Sequence, residues 1–409
     1  MTQLDLDFIR SQFPAFQQDN LRGWAFFENA GGSYACQQVI DHLHRYYTET
    51  KLQPYGCYPA SIRAGREMDE AYEKLAGYLN VTADEVHLGP STSQNTYVLA
   101  QAFRAGWQEG DEIIVTNQDH EANSGVWRRL ADTGIIVKEW QLNQETGQLD
   151  PADLDNLLTP KTRLLAFPHC SNVVAHVNPV AEISAKAHAV GAIVVTDGVS
   201  YAPHGFPDIP ALGCDIYLFS TYKTYGPHQG LMVVRRGLLD KLANQSHYFN
   251  AEQVHKKLVP AGPDHAQVAV AGSIADYFDA VYAHHFSEEA AAPERGQQIH
   301  DLFRQHEVDI LQPLLDWLDA RSDLHIVGPK DAAVRAPTVA VVTHNKSTAF
   351  VARELAEHKV MAGSGDFYGV RVLKGMGIPL DPGVLRMSFV HYTSADEVNQ
   401  LIKGLDAIL

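Results

Sequence analysis

Residues 194–230 read VVTDGVSYAPHGFPDIPALGCDIYLFSTYKTYGPHQG, and two charged side chains in this stretch, Asp197 and Lys223, follow short apolar runs. Asp197 closes the run that begins at Ala192, and Lys223 comes just after Ile216–Phe219. Short runs this uniformly apolar suit strands buried on both faces of a parallel sheet. Open α/β sheets bind their ligands at the carboxyl ends of their strands. The carboxylate and the amine are therefore expected at one edge, facing one site.

Outward from this stretch, strands and helices alternate between about residues 85 and 235. Glu112–Thr116, Gly134–Glu139, Thr162–Pro168, Ala192–Asp197, Ile216–Ser220 and Leu231–Arg235 read as strands, and Pro151–Leu158 and Glu182–Val190 carry helical spacing. This alternation predicts an α/β fold with a mostly parallel sheet. After Gly272 a long helical stretch, from about Ile274 to Arg321, leads into an α+β segment with strands near Thr338–Val342 and Leu385–Val390. Residues 20–272 are expected to form a large domain, and residues 1–19 with 273–409 a smaller one, against which Asp5–Phe16 packs.

The 409 residues exceed one ordinary core, and 45% hydrophobic with 20% charged residues is the balance of a globular chain. A formal net charge of −17 argues against nucleic acid or an anionic membrane as a partner, since both are held by basic patches. No apolar stretch approaches the roughly 20 residues of a membrane span, and MTQLDLDFIR lacks a signal-peptide pattern, so a cytoplasmic location is expected. Cys36, Cys57, Cys170 and Cys214 form no CxxC pair. The pairs His42/His44 and His284/His285 do not share a helix face, and no metal site is expected.

A lysine amine condenses with an aldehyde, and an aspartate facing a pyridine nitrogen keeps that ring able to take up electrons. Asp197 and Lys223 thus suit pyridoxal 5′-phosphate. Ser91 and Thr92 follow a Gly89-Pro90 turn and precede the helical run Gln94–Phe103, which places hydroxyls and amides for a phosphate at a helix N-terminus; an ordinary N-cap is the plain alternative. Ser220, three residues before Lys223, can add a hydroxyl to the same phosphate or be a plain strand-end serine. His120 follows the 112–116 strand, so its imidazole emerges at the same edge, where it can lie on the ring and move protons. Asn172, otherwise a turn asparagine, can donate its amide to the cofactor's phenolic oxygen. Arg386, in VLRMSFV, is costly to bury without an anion, and a guanidinium grips a substrate carboxylate by two parallel hydrogen bonds.

FSTYKTYGPHQG (219–230) resembles the lysine motif of the class V aminotransferases. That branch of the fold-type I pyridoxal-phosphate enzymes holds cysteine desulfurases, selenocysteine lyases, isopenicillin N epimerase and cysteine/cystine lyases. NAGGSY (29–34) is similar to the family's substrate loop, PSTSQN (90–95) to its phosphate loop and DHEAN (119–123) to its ring-stacking histidine motif. SNVVAHVNPV (171–180) resembles its asparagine-bearing strand end, and VLRMSFVHYTSADEV (384–398) its carboxylate-binding arginine motif. The resemblance covers nearly the whole chain. It implies a fold-type I architecture, a large domain whose mostly parallel sheet has roughly seven strands, a smaller C-terminal α+β domain, and a homodimer. It also implies substrate contacts from Asn29, Ala30 and Gly31 beside Arg386. Cofactor contacts from Ser200 and Tyr222 join those of Ser91, Thr92, His120, Asn172, Asp197, Ser220 and Lys223.

The chain departs from the family pattern in places. Cysteine desulfurases carry sulfur on a loop cysteine of the small domain, yet the matching stretch, VMAGSGDFYGVRVL (360–373), has none. Cys170 and Cys214 read as buried small apolar groups. Tyr222 stands where many desulfurase-like members have histidine, and Ser200 where they have glutamine. AGPDHAQ (261–267), with His265 and Gln267 as donors, replaces the glycine-threonine motif through which a second subunit touches the phosphate. Gly363–Tyr368, Tyr34 and Tyr55–Tyr58 are expected to shape the pocket.

These residues imply an enzyme acting on a small amino acid, in which Lys223 removes the α-proton and Asp197 stabilises the negative charge that follows. A sulfur leaving group on the β-carbon makes it a C–S lyase, the first expectation. Transamination and then epimerisation are the next. A non-enzymatic cofactor-binding protein is the alternative from another class, against which Arg386 argues, because a cofactor reservoir needs no substrate clamp.

Overall fold

The structure is a computed structural model and describes residues 2–409. Its strands, in chain order, are β1 (Ala25–Phe26), β2 (Val86–Gly89), β3 (Glu112–Thr116), β4 (Ile136–Trp140), β5 (Thr162–Pro168), β6 (Ile193–Asp197), β7 (Ile216–Ser220) and β8 (Gly230–Val234), then β9 (Leu324–Val327), β10 (Thr338–Thr343), β11 (Val360–Met361), β12 (Gly363–Gly365) and β13 (Val384–Ser388). A 7-stranded sheet has the order β2-β8-β7-β6-β5-β3-β4. From β7 to β4 every pairing is parallel, while β8 runs antiparallel to both neighbours.

Helices cover both faces of this sheet, which is why its strands read as unbroken apolar runs. Leu165, Phe167, Val194, Tyr217 and Phe219 enter one buried cluster, and their neighbours Leu164, Ala166, Val195, Ile216 and Leu218 enter the cluster on the other face. Alternate side chains point to opposite faces, so each strand feeds both.

The sequence readings shift at several ends. β4 starts at Ile136 rather than Gly134, because Gly134, at φ +85°, ends the helical turn Arg129–Thr133. The expected 151–158 helix is a tight turn, Pro151–Asp153, followed by Leu154–Leu157. The stretch from 274 to 321 is two helices, Ser273–His285 and Ala292–Asp319. Phe286 turns extended, and Pro293 opens the second helix, where its missing N–H costs nothing. Five short strands go unread in the sequence: β1, β9, β11, β12 and β2, an edge piece of the large sheet whose apolar pattern is broken by His87.

A second, antiparallel sheet, β12-β13-β10-β9, carries a separate cluster built on Val339, Val341, Leu385 and Met387. The Ala292–Asp319 helix spans the two clusters: Ile299, Leu302 and Phe303 join the core of the large sheet, and Leu311, Leu314 and Leu318 that of the small one. Ile274, Tyr277 and Phe278 also belong to the large cluster, so residues 273–303 pack with the large sheet. The N-terminal helix Leu6–Ser11 is capped by Asp5, and Arg10 pairs with Glu397 and donates to the Tyr392 carbonyl at 2.9 Å. Among the described residues, no helix is long and apolar enough to cross a membrane.

Candidate active site

β6 and β7 are parallel neighbours, so both open on the same sheet edge. Asp197 is the last residue of β6, and Lys223 sits in the one-turn helix Thr221–Lys223 that follows β7. The turn is tied back by Thr221 N–H, which donates to the Gln229 carbonyl at 2.9 Å. Asp197 is 4% exposed and Lys223 9%, and both line one cavity.

Burial dominates the electrostatics there. The Lys223 ammonium is pulled down to about 8 by desolvation and by the charge of Arg386, against the pull of Asp197 and Glu28. Asp197 is pushed up to about 6 by desolvation, while the Val199 N–H at 2.8 Å and the Lys223 charge hold it back. His120 falls to about 3, first from burial and then from the charges of Lys223 and Arg386, so its imidazole is neutral. Near neutral pH the site thus holds a carboxylate, an amine near its titration point and a neutral imidazole.

Ser91, Thr92 and Ser220 gather at one end of the cavity, and Thr92 Oγ1 lies 2.8 Å from Ser220 Oγ. Ser91 is also the N-cap of the Thr92–Arg104 helix, accepting from Gln94 N–H at 3.2 Å. That helix starts at the cavity because β8 begins with glycine: a Cβ on Gly230 would collide with the Ser91 and Thr92 backbone.

His120, Asn172, Ser200 and Tyr222 line the same cavity. His120 Nδ1 accepts from Ala122 N–H at 3.1 Å. Tyr222 stacks on His228, the ring centroids 4.4 Å apart and the planes 2° from parallel. The Asn172 Nδ2 donates one hydrogen to the Phe367 carbonyl at 2.9 Å, and its Oδ1 is buried without a partner. Cys170 also lines the cavity, but burial pushes its thiol up to about 12, and the same holds for Cys214.

The residues expected at the substrate are more dispersed. Asn29 and Ala30 line a small adjoining cavity shared with Lys223 and Ser200. The Asn29 side chain is committed elsewhere, donating to the Ser388 carbonyl at 3.2 Å and accepting from the Tyr392 hydroxyl. Gly31 lines neither cavity; its N–H donates to the Glu28 carbonyl at 2.9 Å. Arg386 lies beside the main cavity without lining it, paired with Glu28 at 3.1 Å.

Two residues of this neighbourhood were missed from sequence. Asp119 lines the cavity with Oδ2 accepting from Asn123 at 2.7 Å and Oδ1 buried without a partner. Burial and the nearby Asp197 charge hold its carboxyl well above the usual range. Its only sequence signal was its place beside His120. Glu28, the partner of Arg386, had none beyond preceding the Asn29 loop.

The donor set fits pyridoxal 5′-phosphate: hydroxyls and a helix N-terminus at one end, a carboxylate deep in the cavity, a neutral imidazole, and an amine poised near neutrality. The unpartnered Asp119 and Asn172 oxygens give this cavity spare hydrogen-bonding capacity, as a polar ligand requires. Comparisons agree. An aminotransferase-like protein of Gibberella zeae is 33% identical, covering 100% of this chain and 99% of the relative. A cysteine desulfurase of Serratia proteamaculans is 29% identical over 98% of this chain and 97% of its own length. Among solved structures, a cysteine desulfurase from Thermococcus onnurineus NA1 superposes with a TM-score of 0.85 at 20% identity, covering 100% of this chain and 99% of that one, which establishes the shared fold. The sequence profile of the family "Aminotransferase class-V" matches residues 25–264 and 289–401. With a lysine and an aspartate brought together in one buried cavity, the chain belongs to the class V aminotransferase family of pyridoxal-phosphate enzymes.

Proposed function

We propose that the chain binds pyridoxal 5′-phosphate through Lys223 and uses it to break the bond between the β-carbon and the sulfur of a small amino acid. The observation that carries this reading is the Lys223 amine and the Asp197 carboxylate buried in one cavity, drawn toward neutrality from opposite sides, to about 8 and about 6. When bound, the cofactor supplies an aldehyde carbon to hold the substrate amine and a ring that draws electrons from the substrate α-carbon.

Ser91, Thr92 and Ser220 would hold its phosphate, Asp197 its ring nitrogen and His120 its ring face, with Asn172, Ser200 and Tyr222 along the remaining edge. Lys223 Nζ, neutral in part at physiological pH, accepts the substrate α-proton. Arg386 holds the α-carboxylate, and the Asn29–Gly31 loop, fixed to Ser388, closes that side of the site. The bond changes balance: the α C–H and β C–S bonds break, sulfur leaves as a thiol with a proton, and one water converts the remainder to pyruvate and ammonia.

The 360–373 stretch supports elimination over sulfur transfer to the protein, since it contains no cysteine to carry the sulfur. Transamination is the second reading, favoured by the relative named aminotransferase-like. A homodimer belongs to the proposal and is supported by the exposed Tyr47, Tyr55, Tyr58 and Ile62. Borohydride reduction of the cofactor-loaded protein tests the attachment. Mass spectrometry should find the cofactor fixed on Lys223 and nothing fixed in Lys223→Ala; attachment at another lysine would remove Lys223 from this role.

A further inference from the structure

Arg386 does not offer a free guanidinium. Its Nη2 lies 3.1 Å from Glu28 Oε1, and its Nη1 donates to the Asn172 carbonyl at 3.4 Å. The Phe367 ring covers one face, its centroid 3.8 Å from Cζ, and Nε is buried without a partner. The segments that carry two of these contacts are tied together, the Asn172 Nδ2 donating to the Phe367 carbonyl at 2.9 Å.

The third contact is of a different kind. The Arg386 side chain is 4% exposed and that of Glu28 28%, so the anion is the member of the pair that reaches solvent. Gly363, paired with Arg386 across β12 and β13, lacks the side chain whose Cβ would come within 2.9 Å of Glu28 Oε2, and the Glu28 carboxylate lies in that space. A substrate α-carboxylate and Glu28 need the same guanidinium, and only Glu28 is placed to yield it.

We propose that Glu28 is an intramolecular competitor for the substrate carboxylate, filling the Arg386 site until an amino acid displaces it and thereby setting how tightly the carboxylate is held. This rests on Arg386 being the carboxylate clamp. Glu28 is then a specificity-determining residue whose removal strengthens binding, the reverse of what loss of a mere prop for Arg386 would do.

The test is a titration of the cofactor-loaded enzyme with 2-methylalanine, which has no α-proton to lose, and with its carboxamide, followed by the visible absorption of the bound cofactor. Glu28→Gln keeps the side-chain shape and an acceptor for Nη2. It should bind 2-methylalanine about two- to fivefold more tightly than the wild type, the range expected for removing one partly exposed ion-pair partner, and bind the carboxamide unchanged. Glu28→Ala should shift in the same direction and serves if Glu28→Gln folds poorly. Equal or weaker binding of 2-methylalanine in these variants overturns the proposal. Arg386→Gln separates the two ideas: if it leaves the preference for 2-methylalanine over the carboxamide intact, the clamp itself is wrong, whereas a lost preference without tightening in Glu28→Gln sinks only the competition.

Discussion

Burial sets the proton affinities of Asp197 and Lys223, and it moves them in opposite senses. Asp197 rises from 3.8 to about 6, chiefly by desolvation. A carboxyl whose folded value is raised favours folding in its protonated form; that contribution is complete below its unfolded value and is lost as pH climbs through about 6. In the cofactor-free protein the buried anion should therefore cost about 2–3 kcal/mol above neutrality, at about 1.36 kcal/mol per pH unit. Asp197→Asn should lose about 2 kcal/mol less stability than the wild type between about pH 4 and about pH 8 in denaturant unfolding; parallel pH profiles would contradict this. Asp197 and Lys223 were legible in the sequence because charges that end apolar runs need a reason to be there. Asp119 was not, since only the folded structure shows that its Oδ1 is buried without a partner. Nor was Glu28, whose pairing with Arg386 spans 358 positions of sequence.

At the scale of elements, the site depends on how closely the start of the Thr92–Arg104 helix approaches β8. Gly230 makes that approach possible, and a methyl group there has only the Ser91 and Thr92 backbone to press against. Gly230→Ala should pry the phosphate end open, at a cost of about 1–3 kcal/mol in stability from overpacking and of about tenfold in cofactor affinity from the displaced donors. Unchanged affinity in a fluorescence titration with pyridoxal 5′-phosphate would separate Gly230 from cofactor binding. The strands that carry the site were legible because each is a short apolar run in a sheet buried on both faces. Their ends, and the break between His285 and Ala292, were not, because helical spacing continues across the gap while the backbone turns extended at Phe286. The antiparallel direction of β8 was equally hidden, since a buried strand reads alike in either direction.

Across the whole molecule, the N-terminal segment joins parts of the chain that are distant in sequence. Phe13 is fully buried, with edge-on contacts to Tyr392 at 4.8 Å, Tyr277 at 5.2 Å and Tyr225 at 5.5 Å between ring centroids. These rings come from the turn after Lys223, the Ser273–His285 helix and the segment after β13. Phe13→Ala should cost about 3–5 kcal/mol, as large-to-small changes in a packed core do, read as a lowered denaturant midpoint; a loss under about 1 kcal/mol would mean the segment is not part of the cooperative core. The packing of this segment was legible only as a helical pattern, because its partners are aromatic residues scattered along the chain. The reaction itself is tested most directly by incubating the cofactor-loaded protein with a panel of amino acids, including cysteine and cystine, without any keto acid, while following pyruvate and the cofactor's absorption together. Repeated turnover to pyruvate, with the absorption of the Lys223-linked cofactor restored after each cycle, is the expected result. A single turnover that strands the cofactor in its amine form would contradict C–S elimination and make the protein an aminotransferase.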